Sequence, residues 1–222
     1  MNEEQLDEHL GSGTTLDPPG SIAVIGSGPL GIEAALYGRY LGYDVTLIEA
    51  GPSFEALAAE EEAPIPMRPD RCASPLARSA LAAQQGETGP RRSPTTMREW
   101  VEEVWRPLLE TDLLRGRLLS GVSLIAVDLV PLDSEEEEDD VPPDFRLSLS
   151  EGEPLIFEAM ITVTEEDAPC SFPLPTDYYF HLRGEGEDPE SEFWSGLKQI
   201  VTLYASLGGR SDLDLYRPLR GG

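Results

Sequence analysis

Residues 21–49, SIAVIGSGPLGIEAALYGRYLGYDVTLIE, constrain the fold of this chain more than any other stretch. Ile22 to Ile25 is a short apolar run that reads as a strand, and it leads into Gly26, Gly28 and Gly31. Their G-x-G-x-x-G spacing is that of a turn that cradles a dinucleotide. The first glycine permits a tight turn, the second lets the backbone approach a pyrophosphate, and the third lets the new helix pack closely on the strand. That helix points unpaired N–H groups and the positive end of its dipole at the phosphates. Ala35 and Gly42 occupy small-residue positions where the helix is expected to lie against a sheet, Tyr43 to Ile48 reads as a second strand, and Glu49 closes it. A carboxylate at that point accepts a hydrogen bond from an adenosine ribose 2′-hydroxyl, and it repels a 2′-phosphate. The bland alternative is a glycine-rich turn without a ligand; strand, glycines, helix and terminal acid together weigh against it. Gly26, Ser27, Gly28, Pro29, Leu30, Gly31, Glu49 and Ala50 are therefore the expected cofactor contacts.

Charge narrows the partners. The 222 residues carry a formal net charge of −26, which argues against nucleic-acid and anionic-membrane surfaces. Much of the acid lies in a few runs, so solvated loops explain it better than adaptation to high salt. Lys198 is the only lysine. Cys72 and Cys170 are far apart with no C-x-x-C pairing, which indicates neither a disulfide framework nor a redox dithiol. His9 and His181 are the only histidines, too few to suggest a metal centre. No apolar run reaches membrane-spanning length, and the acidic N-terminus lacks the form of a leader, so a cytoplasmic location is expected.

The remaining chain reads as follows. Residues 1–20 form a loosely ordered acidic lead-in, 21–216 a single domain, and 217–222 a tail. A short helix is expected over 53–62, and 63–92 is a long connection with one helical patch near 74–85. Thr96 and Glu99 have the form of a capping box ahead of Trp100, Val101, Val104, Trp105, Leu108 and Leu109 at helical spacing. Tryptophans in such a stripe are more often core than ring-stacking ligands of a cofactor. Residues 118–129 read as one strand, 133–140 as an acidic loop, and 155–163 as another extended run. With the alternating Phe145, Leu147 and Leu149 they imply a small antiparallel meander, about 144–157. A short strand over 178–182 precedes a helix over 191–207 that ends at Gly208-Gly209, and Leu213, Leu215 and Tyr216 are available to dock.

The fold class is thus α/β: a Rossmann-like parallel sheet with a crossover helix region and a small antiparallel β-meander. This order of elements resembles the FAD domain of the glutathione-reductase-like flavoproteins. Gly26, Gly28 and Gly31 with Glu49 are similar to the residues that family places around the FAD pyrophosphate and adenosine ribose. In residue detail, 96–112 and 193–216 look like parts of flavin-containing monooxygenase-like FAD/NAD(P)-dependent oxidoreductases. The resemblance implies FAD as the cofactor, ahead of NAD, and an oxidoreductase. There are departures. Relatives that oxidise NADPH carry a second dinucleotide domain before the last strand, and only about a dozen residues separate Thr164 from Asp177 here. The family's T-G turn reads Thr162-Val163-Thr164-Glu165, and Gly184, Gly186 and Asp188 stand near its closing glycine-aspartate contact.

No G-x-S-x-G elbow, no Ser/His/Asp set and no P-loop is evident. Flavin chemistry needs few protein side chains, so these absences do not oppose an oxidoreductase. Three readings follow: a FAD-dependent oxidoreductase fed by a separate donor or partner protein, a catalytically idle nucleotide- or protein-binding relative, and an NAD-binding dehydrogenase. The last lacks a Tyr-x-x-x-Lys pair behind Tyr37 or Tyr40. No catalytic residue is assigned, and substrate, donor and oligomeric state are left open.

Overall fold

The structure is a computed structural model that describes residues 15–52, 54, 61–85, 93–130, 142–164, 168–210 and 213–217. The start of the acidic lead-in, most of the short helix expected over 53–62, the acidic loop 133–140 and the end of the tail lie outside the described residues. The strands are β1 (Ser21–Ile25), β2 (Asp44–Glu49), β3 (Leu118–Ser120), β4 (Leu124–Val130), β5 (Asp144–Leu149), β6 (Leu155–Phe157), β7 (Ala159–Thr162) and β8 (Tyr179–His181). Among the described residues the helices longer than one turn are α1 (Pro29–Leu41), α2 (Pro75–Gln85), α3 over 97–109, and α4 (Pro189–Leu207).

β1 is apolar on both faces because both are covered, as in other parallel sheets. Ile22 and Val24 point into one core with α1, α2, α3 and α4, while Ala23 and Ile25 point into a second core with the antiparallel sheet. Strand alternation therefore sorts one short sequence into two layers of contact. The parallel sheet has the order β3-β2-β1-β7-β8, and the antiparallel sheet the order β4-β5-β6. The fold is α/β, with helices, a parallel sheet and a meander as three layers. Because successive strands run outward on one side of β1 and then resume on the other, β1 marks the topological switch point, where such sheets open a crevice at their carboxyl ends.

The helices follow local rules. α1 starts at Pro29, whose missing N–H is no loss at a first helical position, and ends at Gly42, which adopts φ 95°. Gly42 is thus a helix terminator rather than a packing contact, which corrects the sequence reading. The close approach belongs to Gly38, where an added Cβ would lie 2.3 Å from the Tyr204 hydroxyl of α4. Both bonds of the Thr96–Glu99 capping box are present at the start of α3. Within α3, Val101–Trp105 is wound as a π-helix ahead of Arg106–Leu109. Pro107 accounts for this wider turn, since its ring has no N–H and would crowd the carbonyl one turn back. Trp100 and Trp105 are core residues, and the Trp100 Nε1–H donates to the Cys72 carbonyl at 2.8 Å. The segment after α4 docks through Leu213 and Leu215: the Tyr37 hydroxyl donates to the Leu213 carbonyl, and Leu215 N–H donates to the Tyr37 hydroxyl.

Two apolar runs that read as single strands are each divided between the two sheets. The run at 118–129 breaks at Gly121, whose φ of 80° ends β3, and β4 starts in the other sheet. The run at 155–163 breaks at Glu158, whose carboxylate accepts hydrogen bonds from Ser21 N–H at 2.7 Å and the Ser21 hydroxyl at 3.1 Å. Glu158 so ties the passage from meander to parallel sheet to the first residue of β1.

Candidate dinucleotide site

At the carboxyl end of β1 the chain turns through Gly26, with φ 104°, and its N–H donates to the Ile48 carbonyl of β2 at 2.8 Å. Only glycine adopts such a backbone conformation without strain. Gly31 is required for a different reason. A Cβ there would lie 1.9 Å from the Gly26 carbonyl oxygen, so the first turn of α1 rests directly on the glycine turn. Gly28 is exposed, has an ordinary extended conformation, and has nothing within 4 Å of where a Cβ would be. Among the described residues no contact demands glycine at 28. The missing side chain leaves an open cradle above the backbone, and this is the fit expected of a residue that a pyrophosphate approaches.

α1 has no side-chain N-cap and no acidic residue in its first turn. The amides of a helix start and the positive end of its dipole therefore face this cradle without a carboxylate from the helix's own first turn. Pro29 and Leu30 are half-buried at its edge. Ser27 is 1% exposed and does not point into the cradle. Its N–H and its hydroxyl donate to the same Glu49 oxygen, Oε2, at 2.8 Å and 2.9 Å. Gly51 N–H donates to the other oxygen, Oε1, at 3.3 Å. Glu49 is half-buried at the end of β2, and Ala50 beside it is exposed. The sequence-predicted residues thus come together at one edge of the sheet, with Ser27 reaching Glu49 rather than the open face.

On the opposite side of β1 an open groove of about 480 Å³ runs along the carboxyl ends of β7 and β8. Leu30, Val163, Thr164, Leu182, Arg183, Gly184 and Glu192 line it. Val163 N–H donates to the Ile25 carbonyl, which holds this wall against the glycine turn. Gly184 and Gly186 pack on the first turn of α4: a Cβ at Gly184 would lie 2.1 Å from the Glu192 carbonyl oxygen, and one at Gly186 2.5 Å from the Ser191 hydroxyl. Asp188 caps α4, and its bonds from Ser191 hold its carboxyl below the usual range. The groove-lining Arg183 and Glu192 gave no signal in the sequence, because only the pairing of β7 with β8 and the packing of α1 on α4 bring them to this edge.

Glu33 is a second residue that sequence reading passed over. It lies on α1 with no exposed surface, where its carboxylate accepts hydrogen bonds from Ser74 N–H at 3.2 Å and the Ser74 hydroxyl at 2.8 Å. The same hydroxyl accepts from Ala77 N–H in the first turn of α2. Burial raises the Glu33 pKa to about 7, against the lowering effect of these bonds. Glu33 therefore fixes the crossover connection to the helix that opens the site. Among the described residues no group of three or more His, Cys, Asp or Glu side chains is placed to hold a metal, and no helix is long and apolar enough to cross a membrane.

Several known proteins are similar to this chain. It resembles the structure described as OTEMO in complex with FAD and NADP at 18% identity, with 72% of this chain and 28% of that one covered and a TM-score of 0.43. Bacillithiol disulfide reductase Bdr from Staphylococcus aureus is 15% identical over 65% of this chain and 38% of its own, with a TM-score of 0.46. Oxidized steroid monooxygenase bound to NADP is 14% identical over 65% of this chain and 25% of its own, with a TM-score of 0.49. The chain thus spans well under half the length of each of these proteins. No curated protein matches it. Residues 21–64, which begin with β1, the glycine turn, α1 and β2, match the family of pyridine nucleotide-disulphide oxidoreductases.

Proposed function

We propose that this chain is a FAD-binding, cytoplasmic oxidoreductase domain that receives its electrons from a separate donor or a partner protein. The observation that carries this reading is the open cradle over Gly28 at the start of an uncapped helix, with Glu49 held at the neighbouring strand end. The turn residues Gly26, Gly28, Pro29, Leu30 and Gly31 would hold the pyrophosphate, and Glu49 would accept from the adenosine ribose, with Ala50 beside it adding no cation for a 2′-phosphate. The groove bordered by Leu30 and Val163 is the space available at the same edge for the rest of the dinucleotide. A bound flavin supplies the redox step itself; the protein's share is to bind and orient it and to limit access of water.

Titration of the purified protein with FAD, followed by calorimetry and by the flavin absorption spectrum, tests the reading. Stoichiometric binding with a raised melting temperature is expected. No binding, or preferential binding of NAD, overturns it.

A second reading has its own observation. About a dozen residues join Thr164 to Asp177 in place of a second dinucleotide domain, and the described part of that connection packs on the meander through a bridge between Cys170 and Val127. A nucleotide-binding or partner-binding relative without turnover fits that economy. Flavin that is bound and then reduced by NADH, NADPH or dithionite and reoxidised in a substrate-dependent way excludes it.

A further inference from the structure

We infer that Ser27 is a specificity-determining positioning residue, which reads the adenosine ribose through Glu49 instead of contacting the phosphates. The inference rests on the FAD reading above and deepens it. A carboxylate offers about four lone-pair directions. At Glu49, Oε2 already takes two donors from one residue, the Ser27 N–H and hydroxyl at 2.8 Å and 2.9 Å. Among the described residues, Oε1 takes only Gly51 N–H, at the longer 3.3 Å. This lopsided arrangement fixes the rotation of the carboxylate and keeps acceptor capacity on Oε1 for a hydroxyl from outside the protein.

Ser27 is suited to that role and not to phosphate binding. It is 1% exposed, and both its donors are committed. It sits between Gly26, which cannot move without losing its bond to the Ile48 carbonyl, and Gly28, which is open to solvent. The same turn that presents amides to a pyrophosphate thereby sets the orientation of the ribose acceptor on the next strand. Removal of the hydroxyl leaves the Ser27 and Gly51 N–H bonds in place, so Glu49 keeps its location while its carboxylate is held less firmly in one orientation.

The test is a comparison of ADP with 2′-deoxy-ADP as competitors for bound FAD, in the wild type, Ser27→Ala, Ser27→Thr and Glu49→Gln. The 2′-hydroxyl is the only difference between the two probes. The wild type should prefer ADP by about tenfold, the size of one hydrogen bond to a charged acceptor. In Ser27→Ala this ratio should fall to less than about threefold, near that of Glu49→Gln, and Ser27→Thr, which keeps a hydroxyl, should restore it. A purely structural role would weaken both probes alike and leave the ratio at the wild-type value. An unchanged ratio in Ser27→Ala therefore overturns the role of Ser27 while the FAD reading stands, as does a lost ratio in a folded Ser27→Thr. Failure of the wild type to bind FAD or ADP overturns the cofactor reading and this inference with it.

Discussion

Gly28 and Gly31 stand three residues apart in one motif, yet alanine at the two positions should have opposite effects. At Gly31 the added Cβ would sit 1.9 Å from the Gly26 carbonyl oxygen and 3.0 Å from its carbon. An acceptable carbon-to-oxygen approach is about 3.3 Å, so α1 or the turn must retreat by roughly 1.4 Å. The obstacle is backbone, with no rotamer to change, and the turn is already pinned by the Gly26 bond to the Ile48 carbonyl. Overpacking by a methyl group costs about 1–3 kcal/mol, and Gly31→Ala belongs at or above the top of that range. At Gly28 the new methyl meets nothing within 4 Å, and φ −65° with ψ 177° is open to any residue. Gly28→Ala should change stability by no more than about 1 kcal/mol, since restriction of the unfolded chain is offset by the poorer N-cap that alanine makes. It should still weaken FAD binding, because the methyl fills the cradle. Urea denaturation and FAD titration of both variants give the answer. A Gly28→Ala protein destabilised by more than about 1 kcal/mol, or one with wild-type FAD affinity, would refute the assignment of that glycine to a ligand; a Gly31→Ala protein of wild-type stability would refute the packing account.

Glu33→Gln should remove a pH dependence of folding. The Glu33 pKa is about 7 in the fold and 4.5 in its absence, so between those values the folded state binds the extra proton and stability falls as pH rises. The contribution is complete below pH 4.5 and is lost through pH 7, a swing of about 3 kcal/mol. Denaturation midpoints of the two proteins should agree within about 1 kcal/mol at pH 4.5 and favour the variant at pH 8 by up to about 3 kcal/mol; a constant difference across that range contradicts the burial of an ionisable group at this position. Glu158→Ala should lower stability by about 1–2 kcal/mol, since Ser21 N–H loses its acceptor where the meander joins the sheet. Its FAD affinity should be unchanged by titration, because Glu158 lies at the opposite end of β1 from the glycine turn.

The first β-α-β unit was legible because its signals are local: an apolar run, glycines at fixed offsets, a helix period and a closing acid. The capping box at Thr96 and the core tryptophans were legible for the same reason. What stayed hidden depends on neighbours that are distant in the chain. A continuous apolar run carries no mark of a change of sheet, so the breaks at Gly121 and Glu158 emerge only with the strand order. Gly42 reads as a small packing residue until the helix is seen to end there, and Gly38 gains its meaning from Tyr204, far along the chain in α4. Glu33 is an acid within a helix, a pattern that ordinarily means a solvated face. Its burial follows from Ser74, which the crossover brings back onto α1. At the candidate site, the sequence marks both Ser27 and Glu49 as expected contacts, but their bond to each other needed the β1–β2 register that sets Ile25 beside Ile48.

Binding of FAD at the edge formed by the glycine turn and Glu49 is the property proposed for this chain on which the rest depends. Calorimetric titration of the purified protein with FAD, with NAD and NADP as competitors, measures it most directly. One FAD per chain is expected, with displacement by excess NAD weak and by NADP weaker still. A protein that takes up no FAD, or that binds NADP as tightly as FAD, contradicts the account.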